Sequence, residues 1–326
     1  MIQYQQYPAT EVYPTYLYDG TTQLYPTPAY MPTYEMPVAY EVPTVPVEGY
    51  APPVGYGATE YVKEPEITAK QFKTLFRFNL LLGIIHLITG ATILAITDSN
   101  TYVWQTTQFP NATSYGGSRW LPQVETHYNV APGYFAGVSL ILSATDHLLV
   151  ALPCRKIYEG GLLNHRNDFR WAEYSLSASF MHICIAMIAG IMDIHMIFMI
   201  FGLTFVTMLF GSEMERTNAH LWGMVPAKSF RPFWYGCVPH IFNWAVILCY
   251  FFRNVSKGDA PEFVWAIIFV IFILDSTFAI NMFLQQREIG KWKVYYFGEL
   301  IFCVLSLVAK QLLAWLYYGG AAAFDD

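Results

Sequence analysis

Lys310 stands in SLVAK (306–310), inside GELIFCVLSLVAKQLLAWLYYGG, an apolar run of membrane-crossing length that holds the ammonium well away from either end. A lysine near the centre of a membrane helix costs about 2.5 to 3.5 kcal/mol on insertion scales, so it persists with a partner or a purpose. Snorkelling is the plain alternative, but Tyr318 closes the span eight residues later, about 12 Å of helical rise, further than a lysine stem comfortably reaches. A desolvated lysine amine is also the group that forms a Schiff base with an aldehyde. To stay protonated in low dielectric it needs an opposite charge, and Glu173, in NDFRWAEYSLSASFM, is the leading acid on that side. Arg170 and Ser177 share a helical face with Glu173, so a local Arg170–Glu173 pair competes with this reading. Ser306, one turn before Lys310, lies on the same face and can accept a hydrogen bond from the nitrogen.

Other proton-capable groups sit in apolar surroundings: His86 (GIIHLITG), Asp146 and His147 (ATDHLLVA), and Asp275 (FILDSTFAI). Carboxylates inside a membrane are costly and often form proton relays, although Asp146 with Thr145 and Asp275 with Ser276 are possible local pairs. His182 and His240 add further groups, and His195 is expected at the outer surface. The five cysteines occur singly, without CxxC spacing, and read as small buried hydrophobes; no metal site is expected.

The elements that must position these groups are membrane helices. The chain is 55% apolar and 13% charged, which is membrane composition. Its bases lack the clustering with aromatic residues that nucleic-acid binding requires, so nucleic acid is excluded as a partner. Seven apolar runs, 76–97, 131–152, 170–191, 194–211, 232–252, 262–284 and 294–318, each approach the roughly 20 residues a bilayer core demands. Ahead of them, residues 1 to about 66 repeat tyrosine and proline and carry a single base, Lys63; we read 1–70 as a disordered cytoplasmic tail able to meet a partner, and 71–326 as the membrane domain. No secretory signal precedes Phe76, so the first span is its own targeting signal. Fourteen of the eighteen Lys and Arg residues fall on the tail's side of the seven runs, against three on the other side and Lys310 within, which puts the N-terminus in the cytosol. Asn111 and Asn254 open N-glycosylation sequons in loops that this topology places outside.

Seven spans with an inner N-terminus, FRWAEYSLSAS in the third, PFWYGC opening the fifth and SLVAK in the seventh resemble the heliorhodopsins over about residues 71–320. The resemblance implies an all-α, seven-helix, rhodopsin-like bundle with all-trans retinal as a protonated Schiff base on Lys310, Glu173 as counterion and Ser306 beside the nitrogen. It also implies that His86 and His147 belong to a polar cluster that handles the released proton, and that the protein is a homodimeric, non-enzymatic light sensor among membrane lipids. Ser306 stands where many pumps carry an aspartate, which weakens a pumping role. Asp146 and Asp275 depart from the uncharged residues expected of the family and keep a light-gated or light-driven proton transporter open, beside a pigment-free receptor or anchor for the tail.

Overall fold

A computed structural model of the protein describes residues 67–97, 103–111, 121–258 and 262–322; the tyrosine- and proline-rich stretch at 1–66 lies outside them. In chain order the elements are α1 (Ala69–Ile96), β1 (Val103–Asn111), β2 (Leu121–Val130), α2 (Pro132–Ala151), α3 (Arg155–Leu163), α4 (Asp168–Ile188), α5 (Ile194–Asn218), α6 (Arg231–Val255), α7 (Glu262–Gln286) and α8 (Tyr295–Ala322). All but α3 of the helices coincide with the apolar runs, because hydrocarbon offers no partner to a backbone amide and only a helix satisfies a lone span internally.

Local signals set the ends. Thr68 and Gln71 form a reciprocal capping box at α1, Pro132 opens α2, and Asp193 caps α5 by accepting from the amides of His195 and Met196. Pro239 lies inside α6, where it withholds one backbone donor just before His240. α1 begins at Ala69, slightly ahead of the expected boundary at 71.

Six of the long helices are long and apolar enough to cross a membrane; α4 is the exception. It carries Asp168, Arg170, Glu173 and a run of serines, and most of its side chains are buried inside the bundle. The long helices pack as a ring, α1 on α2, α2 on α4, α4 on α5, α5 on α6, α7 on α8, and α8 back on α1 and α2. Their outer faces expose Ile88, Phe198, Ile241, Phe242 and Ile273, a surface suited to lipid tails.

Three features differ from the reading of the sequence. The loop between the first two spans holds an antiparallel hairpin, β1 with β2, so the described chain is not wholly helical. The Thr106 amide donates to the Met192 carbonyl at 2.9 Å, which ties the hairpin to the α4–α5 connection. Residues 155–163 form the short amphipathic helix α3, with Tyr158 and Leu162 buried and Ile157 exposed. Finally, α5 runs to Asn218, well past 211, because Glu215 and Asn218 in its last turns are buried among polar partners that hydropathy does not reveal.

Candidate functional site

Lys310 is buried in α8, with Nζ 3.2 Å from Glu173 Oε1 and donating to Ser306 Oγ at 3.1 Å. Ser143 of α2 donates to the same carboxylate oxygen at 2.5 Å. The Lys310 ammonium also lies 5.0 Å from the centre of the Tyr174 ring. Glu173 belongs to the second turn of α4 whereas Lys310 is midway along α8, a mismatch in depth that the long lysine side chain helps to bridge. Ser177, one turn beyond Glu173, is fully buried; its carbonyl accepts from Ser139 at 2.7 Å, and its hydroxyl has no hydrogen-bond partner among the described residues.

Arg170 does not pair with Glu173. Its guanidinium donates to Glu215 of α5 through Nη2 and to Glu299 of α8 through Nη1, and it stacks over the Phe302 ring at 4.0 Å. Glu215 also accepts from Trp171 Nε1 at 2.7 Å and Tyr295 Oη at 3.0 Å, and Glu299 from Asn167 Nδ2 at 2.7 Å and Tyr158 Oη at 3.1 Å. Two carboxylates thus share one guanidinium, and neutral donors satisfy the remaining lone pairs. Such a cluster is tolerable in low dielectric only when its hydrogen bonds are nearly complete.

Neither Glu215 nor Glu299 stood out in the sequence. Glu299 had a signal: it precedes Lys310 by eleven residues, close to three helical turns, on the same face of α8. Glu215 had none, since SEMERTN reads as the polar end of a span.

His147 Nδ1 is 2.7 Å from Asn79 Oδ1, and its ring stacks on His86 at 5.6 Å between centroids. His86 Nδ1 faces Gln311 Nε2 at 3.3 Å. Asp146, beside His147, lines a small polar cavity of about 10 Å³ with Asn79, Arg170, Glu173 and Glu299. The structure therefore gathers Lys310, Glu173, Ser306, Asp146, His147, His86 and Arg170 into one continuous polar zone.

Asp275 lies apart, on α7. It accepts from Trp244 Nε1 at 2.8 Å and lies 3.4 Å from His182 Nε2 and 3.5 Å from His240 Nδ1. The local pairs considered for the two aspartates do not form, because Thr145 and Ser276 each return their hydroxyls to a carbonyl of their own helix. His195 is exposed beside Asp193, in keeping with a surface position.

Asn111 ends β1, and the rest of its sequon lies outside the described residues. Asn254, in the last turn of α6, donates its side-chain amide to the Ala189 carbonyl at 2.7 Å. Next to that carbonyl, Gly190 has φ +95°, and a Cβ there would sit 1.8 Å from the Asn254 amide, so only glycine fits. Cys184 and Cys303 are buried, Cys154 and Cys237 half-buried, and Cys249 is exposed on α6, so the expectation of buried cysteines holds for two of the five. Among the described residues no group of histidine, cysteine and acidic side chains is arranged to hold a metal.

A larger cavity of about 90 Å³, partly open, runs between α4, α5, α6, α7 and α8, with Trp171, Tyr174, Met208, Phe233, Phe278 and Phe302 among its walls. Tyr174 faces both this cavity and the Lys310 amine. Gly211 of α5 sets its width: a Cβ there would lie 2.1 Å from the Trp171 ring, which now occupies that space. The arrangement offers an amine with a fixed counter-charge at one side of an aromatic-lined chamber.

Two solved structures share this fold. The transmembrane domain of the Salpingoeca rosetta rhodopsin phosphodiesterase aligns with a TM-score of 0.52 and 12% identity, covering 78% of this chain and 86% of its own. A thermophilic rhodopsin aligns with a TM-score of 0.50 and 11% identity, covering 80% and 99% respectively. No curated protein matches the sequence. The family model described as Heliorhodopsin matches residues 75–322, most of the chain and nearly all of the described bundle. The chain belongs to the heliorhodopsin family.

Proposed function

We propose that the protein is a light sensor carrying all-trans retinal on Lys310, with Glu173 as counterion and a slow structural response at the end of the bundle rich in lysine and arginine. The observation that carries this reading is the buried Lys310–Glu173 contact at 3.2 Å, beside a cavity lined by aromatic rings. The residues suit the pigment: a primary amine to bind an aldehyde, an anion to balance its charge, and an apolar chamber for a long conjugated chain. When bound, retinal supplies absorption of visible light and isomerisation.

The protein's own groups do the rest. Glu173 stabilises positive charge at the Lys310 nitrogen, and Ser306 accepts a hydrogen bond from it, while Ser143 keeps the carboxylate oriented. Glu173 and Asp146 border the same small polar cavity, so a proton leaving the nitrogen has acceptors on the side facing Arg170, Glu215 and Glu299. His86 and His147 flank that route. Ser177 adds a buried hydroxyl one turn from Glu173.

In this reading all seven long helices cross the membrane, α4 shielded within the bundle, with the N-terminus in the cytosol and the C-terminus outside. The protein works as a homodimer in lipid, without enzymatic activity, and its tyrosine-rich tail meets a cytoplasmic partner. Asn111 and Asn254 are the candidate glycosylation positions on the outer side.

The test is colour. Adding all-trans retinal to the membrane-embedded protein is expected to produce a visible absorption band that Lys310→Ala abolishes. No band in the wild type would defeat the reading in favour of a pigment-free receptor or anchor. The Asp146-lined cavity also supports a second reading, light-driven or light-gated proton transport, which requires a photocurrent under voltage clamp.

A further inference from the structure

Asp275 is a carboxylate in the wall of the apolar cavity, where a charge has no place unless something compensates it. Its surroundings supply the compensation from two helices. From α4, His182 is buried and holds Nδ1 2.9 Å from the Ala178 carbonyl. A carbonyl can only accept, so Nδ1 carries a proton. The other ring nitrogen, Nε2, lies 3.4 Å from Asp275 Oδ2, an ion-pair distance without full hydrogen-bond alignment. Were Nε2 unprotonated, its lone pair would face a carboxylate oxygen in a dry interior. A proton on Nε2 turns that repulsion into attraction.

The remaining neighbours agree. From α6, Trp244 donates to the same oxygen at 2.8 Å, which favours the ionised carboxylate. His240, also on α6, faces that oxygen at 3.5 Å, and its side chain is the partly exposed member of the group. Cys237, one turn before His240, lines the same cavity. Among the described residues, the titratable side chains facing or flanking this carboxylate are His182 and Tyr174 of α4 and His240 and Cys237 of α6.

We propose that His182 and Asp275 form a second buried charge pair, an imidazolium facing a carboxylate, and that Asp275, the member in the cavity wall, sets the colour of the pigment. The second half of this rests on the retinal reading above. The site is distinct from Lys310 and Glu173, since none of its contacts involves either residue. The cavity reaches from Tyr174, beside the Lys310 amine, to Asp275, so a chain bound at Lys310 and lodged there would meet Asp275 away from the nitrogen. Absorption moves positive charge from the nitrogen along the conjugated chain, so an anion there favours the excited state and lengthens the absorbed wavelength. His182 lies behind Asp275 and is not part of the cavity wall, so the carboxylate is the nearer charge.

Two measurements separate the parts of the proposal. Nitrogen-15 NMR of histidine-labelled protein in lipid, without added retinal, reads the ring protons directly, with His182→Gln to assign the signal. The expected result is a His182 ring protonated on both nitrogens near neutral pH, reverting to the neutral form in Asp275→Asn and staying charged in Asp275→Glu. A neutral His182 ring in the wild type overturns the pair, whatever the pigment does. With all-trans retinal added, Asp275→Asn is expected to shift the visible band to shorter wavelength and Asp275→Glu to keep it near the wild-type position. A band that stays in place or moves to longer wavelength in Asp275→Asn overturns the colour role, whereas no band in the wild type is the failure of the retinal reading instead.

Discussion

The two halves of the bundle on either side of Lys310 are built from opposite materials. Toward the α3 end, the interior is Asn79, His147, Asn167, Arg170, Glu215 and Glu299, joined by hydrogen bonds into one network. Toward the hairpin end, it is Ile183, Ile185, Met187, Ile247, Phe251, Ile267 and Ile268, a continuous apolar core whose polar exception is Asp275 with His182, bonded to the core residue Trp244. Lys310 therefore lies between a connected hydrogen-bond network on one side and a mainly apolar core on the other. The asymmetry favours the sensing reading proposed above over the proton-transport one.

The contrast can be broken at four places, taken from the largest expected effect to the smallest. Lys310→Ala removes the group at the junction of the halves, and visible absorption is expected to vanish entirely after retinal is added; any residual band bound at another lysine would move the junction. Arg170→Gln leaves Glu215 and Glu299 buried without their cation. Breaking a buried pair in this way costs about 3 to 5 kcal/mol, so the unfolding midpoint in detergent should fall steeply. A loss no larger than that for Arg155→Ala, whose pairing with Glu159 is partly exposed and worth about 0 to 1 kcal/mol, would mean that the network is hydrated and contributes little.

In the apolar half, Ile268→Ala should cost about 2 kcal/mol through lost packing alone, since no polar partner is orphaned. The same measurement should show the visible band unmoved; a displaced band would show that this half also senses the pigment.

The smallest effect belongs to the far edge of the polar half. His165, in the α3–α4 connection, stacks on Trp222 at 4.6 Å, and burial, with Lys228 nearby, lowers its pKa from 6.5 to about 4. A histidine held neutral by the fold stabilises it fully above 6.5 and loses that contribution as pH falls from 6.5 to about 4. The wild-type unfolding midpoint should fall across that window more than that of His165→Phe. Parallel curves would show that the stack does not restrain the ring.

Helical identity was legible in the sequence because a span must be both apolar and long, and six of the seven long helices are both, with α4 the exception. The cost of a lone lysine in hydrocarbon made Lys310 visible, and Glu173 followed as the acid it needed. The hairpin, by contrast, is held by pairing between β1 and β2 and by the backbone bond to Met192, contacts that local composition does not encode. Glu215 was hidden because a glutamate near a helix end is ordinarily solvated.

By itself, then, the sequence determined which long segments are helical, which lysine is anomalous and which family the motifs resemble, since each of these follows from local composition and spacing. Only the tertiary structure decided how the charges are shared. Arg170 stands one turn from Glu173 in the chain yet turns away to Glu215 and Glu299, because α5 and α8 bring two carboxylates to its guanidinium. That choice leaves Glu173 for Lys310. Partnership in a low-dielectric interior depends on which helices face each other, and the spacing of residues along one helix cannot state it.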